Sequence, residues 1–411
     1  MNLLQISSND LVGRRFNGYD LHGRFAARGI AMRYLAWNAR ARSDFAGRVL
    51  PYPGSRLIQK LVTRKLEKTL SLQSVLPVHA HLLPLQRDFR RADLVHYHVI
   101  HDGWFGLGAL PALVRRKPSV WTWHDLWPVT GHCMHPIDCP RWQSGCGECP
   151  DLATPFPLRR DRTAQLFARK RRLYEGLDLD VVVASRWMLE RARRAPLAAG
   201  FRLHRIPFGL DLALYAPGDR DAARARFGIE AGNRVVALRA FRNPFKGTEA
   251  FAAAVASLGE ATRLTILTVQ EKGHFDTLRG RHQVVDLGWV DDDATMRDVY
   301  AAADFLAMPS AADSFGLMAI EAMACGRPVL CFEGTAVPET AQAPEIGLAV
   351  PRGDVAALAA ALRRWIDDPD EVAARGRRAR AAAEQDYDVE TQADRLAALY
   401  REVAARRARP A

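Results

Sequence analysis

The stretch Asp304–Glu339, DFLAMPSAADSFGLMAIEAMACGRPVLCFEGTAVPE, constrains the fold more than any other part of the chain. It predicts a short apolar strand, Phe305–Met308, then a loop, a helix from about Leu317, and a second strand, Val329–Phe332. Gly326 stands where a left-handed cap would end the helix, and Pro328 prevents the helix from continuing. The uninterrupted apolar run of the second strand is the pattern of a parallel strand covered on both faces. Two carboxylates stand out in this unit. Asp313 lies in the loop at the carboxyl end of the first strand. Glu321 is the only charged residue in the helix LMAIEAMAC, where burial is disfavoured without a partner. One carboxylate on the loop and one just over a turn into the helix both look toward the helix N-terminus, a place suited to an anion. The plainer alternative pairs Glu321 with a basic neighbour such as Arg327 and leaves Asp313 as an ordinary loop carboxylate.

The frame formed by P-S, D-S-F-G and E-A-M-A-C-G-R-P-V resembles the nucleotide-sugar motif of retaining glycosyltransferases with the GT-B fold, the large family-4 group. This chain carries Asp313 where that motif usually has Glu. The resemblance implies an α/β protein of two Rossmann-like domains facing a central cleft, with a C-terminal helix crossing back to the first domain. It also implies that Glu321 meets the ribose hydroxyls and Asp313 the sugar hydroxyls, with backbone amides of Ser314, Phe315 and Gly316 near phosphate or sugar.

A chain of 411 residues exceeds one ordinary core and points to two domains. No apolar run approaches the roughly 20 residues needed to span a bilayer. The opening MNLLQISSND has no basic region before its apolar run and no small-residue cleavage site, so it reads as a strand and not a signal peptide. Cytoplasmic residence is the default expectation, with a peripheral position at the inner face of the membrane. The net charge of +12, mostly arginine, is explained as well by compositional bias on solvated helix faces as by function. Among functional partners, an anionic membrane or a diphosphate ligand is favoured over nucleic acid, because no aromatic-basic nucleic-acid module is present.

Asn2–Ser7 predicts the first strand, followed by a loop with Gly13, Asn17 and Gly18, a helix over about 19–28, and a strand at Met32–Trp37. The family carries a glycine-rich loop here, close to donor phosphate and acceptor; Gly18 fits it, while Arg14, Arg15 and Phe16 replace smaller residues. Residues 50–92 are basic and helical, with mixed apolar periodicity in LIQKLVTRKLEKTL. GT-B enzymes with lipid-linked acceptors often touch the membrane with this part, whereas periodicity alone favours an ordinary packed helix. DLVHYHV and Val120–Trp123 are strands, the second ending in His124-Asp125. In the family, the histidine at that strand end approaches the donor sugar and the attacking hydroxyl, and His124 takes that position. A neutral imidazole can accept a hydrogen bond from a sugar hydroxyl and orient it. His96, His98 and His101 read as strand and loop residues.

Four cysteines, Cys133, Cys139, Cys146 and Cys149, have five, six and two residues between successive members. In a reducing compartment such a cluster suggests metal before disulfides. The terminal C-G-E-C resembles half of a zinc knuckle, while the Cys133–Cys139 half is wider than usual. Some family-4 enzymes of bacterial exopolysaccharide synthesis carry a similar insert. Structural zinc, unliganded thiols and a disulfide pair all remain open.

LDLDVVVASRWMLERA predicts a strand, an N-cap at Ser185 and a helix. HRIPFGLDLALYAP matches the family's inter-domain linker, with Phe208 in place of its usual Asn, and puts the domain boundary near residue 205. The expected division is 1–205 for the acceptor-binding domain, with the cysteine insert at 131–150 and a helix over about 386–411 packing back on it. The nucleotide-sugar domain is 206–385. In the second domain, Lys246-Gly247 after the strand Arg234–Leu238 matches the family's diphosphate grip. Arg242 is the expected arginine partner, with Arg239 in the strand end as the other candidate. An arginine fork and a lysine charge neutralise a departing nucleoside diphosphate.

The resemblance thus implies transfer of a hexose from a UDP- or GDP-sugar to a hydroxyl of a glycan or polyprenyl-linked acceptor, with retention, in bacterial surface polysaccharide synthesis. The leaving phosphate accepts the acceptor proton, so neither a protein nucleophile nor a catalytic cofactor is required. A sugar-nucleotide epimerase and a non-catalytic sugar-nucleotide binder are the alternatives.

Overall fold

The computed structural model describes residues 1–49, 55–101, 103–154 and 156–408. Residues 50–54 and 409–411, which belong to the stretches 50–92 and 386–411 considered above, lie outside the described residues. The chain divides into two compact units, one formed by Met1–Phe208 with Glu390–Ala411 and the other by Gly209–Val389. The sequence placed these two divisions at 205 and 385.

In the first unit, seven parallel strands run in the order β3-β2-β1-β4-β5-β6-β7. They are β1 (Asn2–Asn9), β2 (Ala31–Asn38), β3 (Ala46–Arg48), β4 (Leu94–His98), β5 (Ser119–Trp123), β6 (Asp180–Val183) and β7 (Arg202–Arg205). Every residue of β4, β5 and β6 is buried, as expected for parallel strands covered on both faces. Leu4, Ile6, Val95, Tyr97, Trp121, Trp123, Val181 and Val183 form the centre of the core. The predicted Ser185 cap is present: its side chain accepts from the Met188 N–H at 3.1 Å and opens the helix Arg186–Arg194. The predicted helix near residue 19 is a 3₁₀ turn, Tyr19–Leu21, followed by an α-helix, His22–Ala27.

In the second unit, six parallel strands run in the order β10-β9-β8-β11-β12-β13. These are β8 (Arg234–Ala240), β9 (Leu264–Gln270), β10 (Gln283–Asp286), β11 (Phe305–Met308), β12 (Val329–Phe332) and β13 (Leu348–Val350). The helix after β11 spans Leu317–Ala324. Gly326, at φ +74°, ends it as predicted: the Gly326 N–H donates to Met323 O and the Arg327 N–H to Ala322 O. In each sheet the strand order reverses direction once, between β1 and β4 in the first and between β8 and β11 in the second. At such a switch point the loops leaving the strand ends diverge and leave room for a ligand.

The C-terminal helix Val389–Ala408 lies mainly in the first unit and is fastened there by polar contacts. Asp394 accepts from Arg28 Nε at 2.6 Å, and Tyr400 meets His96 on β4. Arg406 donates to Asp180, which opens β6 and is 0% exposed. The same carboxylate accepts from Arg202 at 3.0 Å and His204 at 2.8 Å on β7. Burial alone would raise the Asp180 pKa, but His204, Arg202 and Arg406 outweigh it and hold the pKa below the ordinary carboxylate value. The stabilisation is therefore complete above the ordinary carboxylate range and is lost as pH falls through the lowered folded-state pKa.

Replacing Asp180 by Asn leaves three basic groups without their shared anion, and this should destabilise the first unit by about 3 kcal/mol. Urea unfolding at pH 7 and at pH 3 checks it, with the difference between wild type and Asp180→Asn shrinking at the lower pH.

Candidate functional site

The loop after β8 and the loop after β11 meet at the switch point of the second sheet. Gly247, at φ +69°, makes that meeting possible. A Cβ there would stand 1.8 Å from Pro309 O, so no larger residue lets the two backbones touch. The Ala311 N–H donates to Phe245 O at 2.8 Å and locks the loops together. Lys246 is thereby set against Asp313, with Nζ 2.9 Å from Oδ2. The predicted pair Lys246-Gly247 acts through both members: the glycine sets the distance and the lysine supplies the charge.

Glu321 is 2% exposed and accepts from Tyr300 Oη at 2.7 Å. Arg327, the basic neighbour offered by the plainer reading, donates instead to Tyr300 O and Ala301 O. Burial lowers the pKa of Arg239, half-buried near the end of β8, and the charges of Asp313 and Glu321 partly restore it. Arg239 therefore lies in the field of both carboxylates. Arg242, the arginine preferred from the sequence, is exposed, and its backbone N–H donates to Glu271. Arg239, one position before the end of β8, is the other arginine that the sequence offered. Phe315 is buried edge-on to Tyr387, and its carbonyl accepts from Thr340 Oγ1 at 2.6 Å. Gly316 caps the helix in the left-handed region at φ +94°. Ser314 lies beside them in the same loop.

In the first unit, His124 follows β5 and is half-buried. Its ring stacks on Phe208 at 5.8 Å and tilts against Phe16 at 5.0 Å. Its Nε2 is 3.3 Å from Nδ1 of His98. Burial pushes the His124 pKa down to about 3, so the ring is neutral. Gly18, at φ +84°, lies in the loop after β1, against Gln5. Phe16 and Phe208, the two aromatic departures from the family pattern, thus meet on His124.

Residues 19–214 match the family described as Glycosyltransferase Family 4, and residues 232–368 match Glycosyl transferases group 1. Each of these two parts of the chain is thus similar to a glycosyltransferase domain. A D-inositol 3-phosphate glycosyltransferase of Segniliparus rotundus is 33% identical over 207 residues, covering 48% of this chain and 46% of the relative. A putative colanic acid biosynthesis glycosyl transferase, WcaC of Escherichia coli, is 27% identical over 265 residues, covering 61% of this chain and 62% of the relative. The chain thus spans about half to three fifths of the length of these curated relatives. Among solved structures, sucrose-phosphate synthase of Thermosynechococcus elongatus aligns with a TM-score of 0.71 at 22% identity, over 99% of this chain and 100% of that one. Anabaena HepE in complex with UDP and glucose aligns at 0.65 and 19%, over 98% and 100%. These structures share the GT-B fold of two parallel-sheet Rossmann-like domains.

For such domains the second-unit cluster offers two cations, Arg239 and Lys246, and two carboxylates at one switch point. That set can neutralise a diphosphate and accept hydrogen bonds from hydroxyls.

The four cysteines line one cavity with His132 and Trp142. Among the described residues, however, no three Cys, His, Asp or Glu side chains are grouped so as to hold a metal ion. The thiols have other partners: Cys146 Sγ accepts from the Gly131 N–H at 3.2 Å, and Cys149 Sγ donates to Asp151 O at 3.1 Å. As arranged, these side chains do not fit a four-coordinate zinc ion, and no chemistry is derived through one.

Glu321 and Tyr300 are joined by a buried hydrogen bond to a carboxylate, worth about 1.5–3 kcal/mol. Tyr300→Phe should lower the unfolding free energy of the protein by that amount, measured by urea denaturation.

Proposed function

We propose that this protein transfers a hexose, with retention, from a UDP- or GDP-sugar to a hydroxyl of a glycan or polyprenyl-linked acceptor in surface polysaccharide synthesis. The observation that carries the reading is the Lys246–Asp313 ion pair beside Arg239 and Glu321 at a switch point. A donor diphosphate competes with Asp313 for Lys246. Its arrival frees the Asp313 carboxylate for sugar hydroxyls while Lys246 and Arg239 take the phosphate charge. Glu321, fixed by Tyr300, accepts from the ribose hydroxyls. In the transfer, the bond from the anomeric carbon to the leaving phosphate oxygen breaks and the acceptor oxygen bonds to that carbon on the same face. The acceptor proton passes to the leaving phosphate, so the protein supplies positioning and charge. His124 is the group assigned to orient a hydroxyl. HepE, which binds UDP and glucose, and WcaC, named for colanic acid biosynthesis, favour the donor class and the setting.

Lys246→Ala and Glu321→Ala should each lower turnover by about 100-fold or more, with the thermal midpoint of Lys246→Ala within a few degrees of wild type. Arg239→Ala should cost more activity than Arg242→Ala. Thermal-shift screening against UDP-, GDP- and ADP-sugars identifies the donor, and wild-type turnover in either of the first two variants rejects the site. NMR of the donor incubated without acceptor would reveal an epimer if the epimerase alternative held.

The helical stretch 55–70 supports an anionic membrane as a partner. Its helices are Ser55–Ile58 and Arg64–Leu70, joined by the π-turn Gln59–Thr63. It is not the ordinary packed helix that its periodicity favours: Leu57 is 61% and Leu61 55% exposed, and Val62, Leu66 and Leu70 are exposed as well. Arg64, Lys65 and Lys68 are exposed along the same stretch. Apolar side chains flanked by cations suit the interface of an anionic bilayer. Among the described residues no helix is long and apolar enough to cross a membrane. Flotation with phosphatidylglycerol vesicles should recover the wild type about tenfold better than Leu57→Asp/Leu61→Asp, with phosphatidylcholine vesicles recovering neither.

A further inference from the structure

A small cavity, lined by apolar side chains and a few polar groups, lies wholly within the first unit beside Gly18, at the switch between β1 and β4. Gln5, Gly18, His96, His98, Thr122 and Tyr400 are among the residues lining it. Both ring nitrogens of His96 are engaged, Nδ1 with Tyr400 Oη and Nε2 with Thr122 Oγ1, each at 2.7 Å. Gln5 Oε1 and His98 Nε2 are buried in the same walls and have no hydrogen-bond partner among the described residues. The orientation of the Gln5 amide is fixed by chemistry: its Nε2 donates to Met32 Sδ at 3.3 Å, and a thioether sulfur only accepts. Its oxygen therefore faces Gly18, where a Cβ would stand 2.0 Å from it. Buried polar atoms without a hydrogen bond are costly, and a water between Gln5 Oε1 and His98 Nε2 would satisfy both.

On the opposite side of the His98 ring, Nδ1 faces His124 Nε2 at 3.3 Å. One of those nitrogens carries the shared hydrogen, and that choice decides what His124 presents to a substrate. If His98 Nε2–H donates to a water that donates on to Gln5 Oε1, every hydrogen bond in the row points the same way and polarises the next. In the reverse arrangement the water must donate at both ends and accept from neither. We propose that His98 is a positioning residue: through a water held between its Nε2–H and Gln5 Oε1, it keeps its Nδ1 as an acceptor for His124 Nε2–H. His124 Nδ1, itself buried in this structure, is then the accepting nitrogen that a substrate hydroxyl would have to reach. Burial pushes His98 well below its ordinary pKa and His124 to about 3, so both rings are neutral and the tautomer is the property left to set. Phe16 and Phe208 hold the His124 ring against rotation. The tautomer stands on this geometry alone, while its catalytic meaning rests on the proposed glycosyl transfer.

The test is ¹⁵N NMR of histidine-labelled full-length protein, with His124 assigned by its loss in His124→Gln. The wild type should show His124 protonated on Nε2. His98→Leu should move protonation toward Nδ1, whereas His98→Asn, whose Oδ1 replaces Nδ1 as acceptor, should keep it on Nε2. Gln5→Leu should shift the His98 resonances and leave its neighbours folded, as judged by thermal midpoint. In turnover, His98→Leu should lower kcat by about 10- to 100-fold with donor KM within about twofold, and His98→Asn should recover most of the loss. A wild-type His124 protonated on Nδ1, or a His124 signal unmoved in His98→Leu, overturns the proposal. A protein that shows the tautomer shift but transfers no sugar overturns the glycosyltransferase reading and leaves the relay standing.

Discussion

The contact of Gly247 with the Pro309 carbonyl is what the second unit's site depends on. Two loops leave adjacent parallel strands in diverging directions, and only a residue without a side chain lets them come back into touch. Once they touch, the ammonium of Lys246 falls within ion-pairing distance of Asp313, and Arg239 shares the field of both carboxylates. The pair is partly shielded from water, where a charge–charge attraction is several times stronger than at an exposed surface. A phosphate entering there finds cations already gathered, with the carboxylate as the group it displaces.

The strand–loop–helix–strand unit around Asp313 and Glu321 was legible because each signal was local. An apolar strand, a left-handed glycine after the helix and a proline beyond it act within a few residues. The parallel order of both sheets followed from the same grammar, since buried strands read as unbroken apolar runs. What was not legible depended on contacts between distant segments. Arg239 at the strand end and Arg242 in the loop, at the more familiar spacing, were both candidates from the sequence. Only the folded arrangement, with β8 beside β11, brings Arg239 into the field of Asp313 and Glu321. The cysteines illustrate the reverse case. Their spacing suggested a metal knuckle; the four line one cavity, but two of the thiols bond to backbone groups and, among the described residues, no three ligands are grouped to hold an ion.

Phe16 and Phe208 each looked like an unexplained departure from the pattern of the family. They lie 192 positions apart, and their rings are 6.4 Å apart beside His124. Neither is interpretable alone. Together they form an apolar holder against the His124 ring. The exposed leucines of the stretch 55–70 were hidden from sequence in a similar way. Periodicity reports that a helix has an apolar side; it does not report whether any part of the protein covers that side.

The first unit is not contiguous in the chain. His96 on β4 is completed by the hydroxyl of Tyr400, and Asp180 on β6 by Arg406, both delivered after the whole second unit has been threaded between. During synthesis, β1 to β7 emerge with a row of buried polar groups still awaiting their last partners. The second unit, Gly209–Val389, is the first to be covalently complete with everything it needs to fold. When it does so it draws its own two ends together, Leu210 bridging to Asp388, and shortens the search by which the final helix finds its place. The last polar contacts of the first unit can therefore form only after the chain of the second unit is complete.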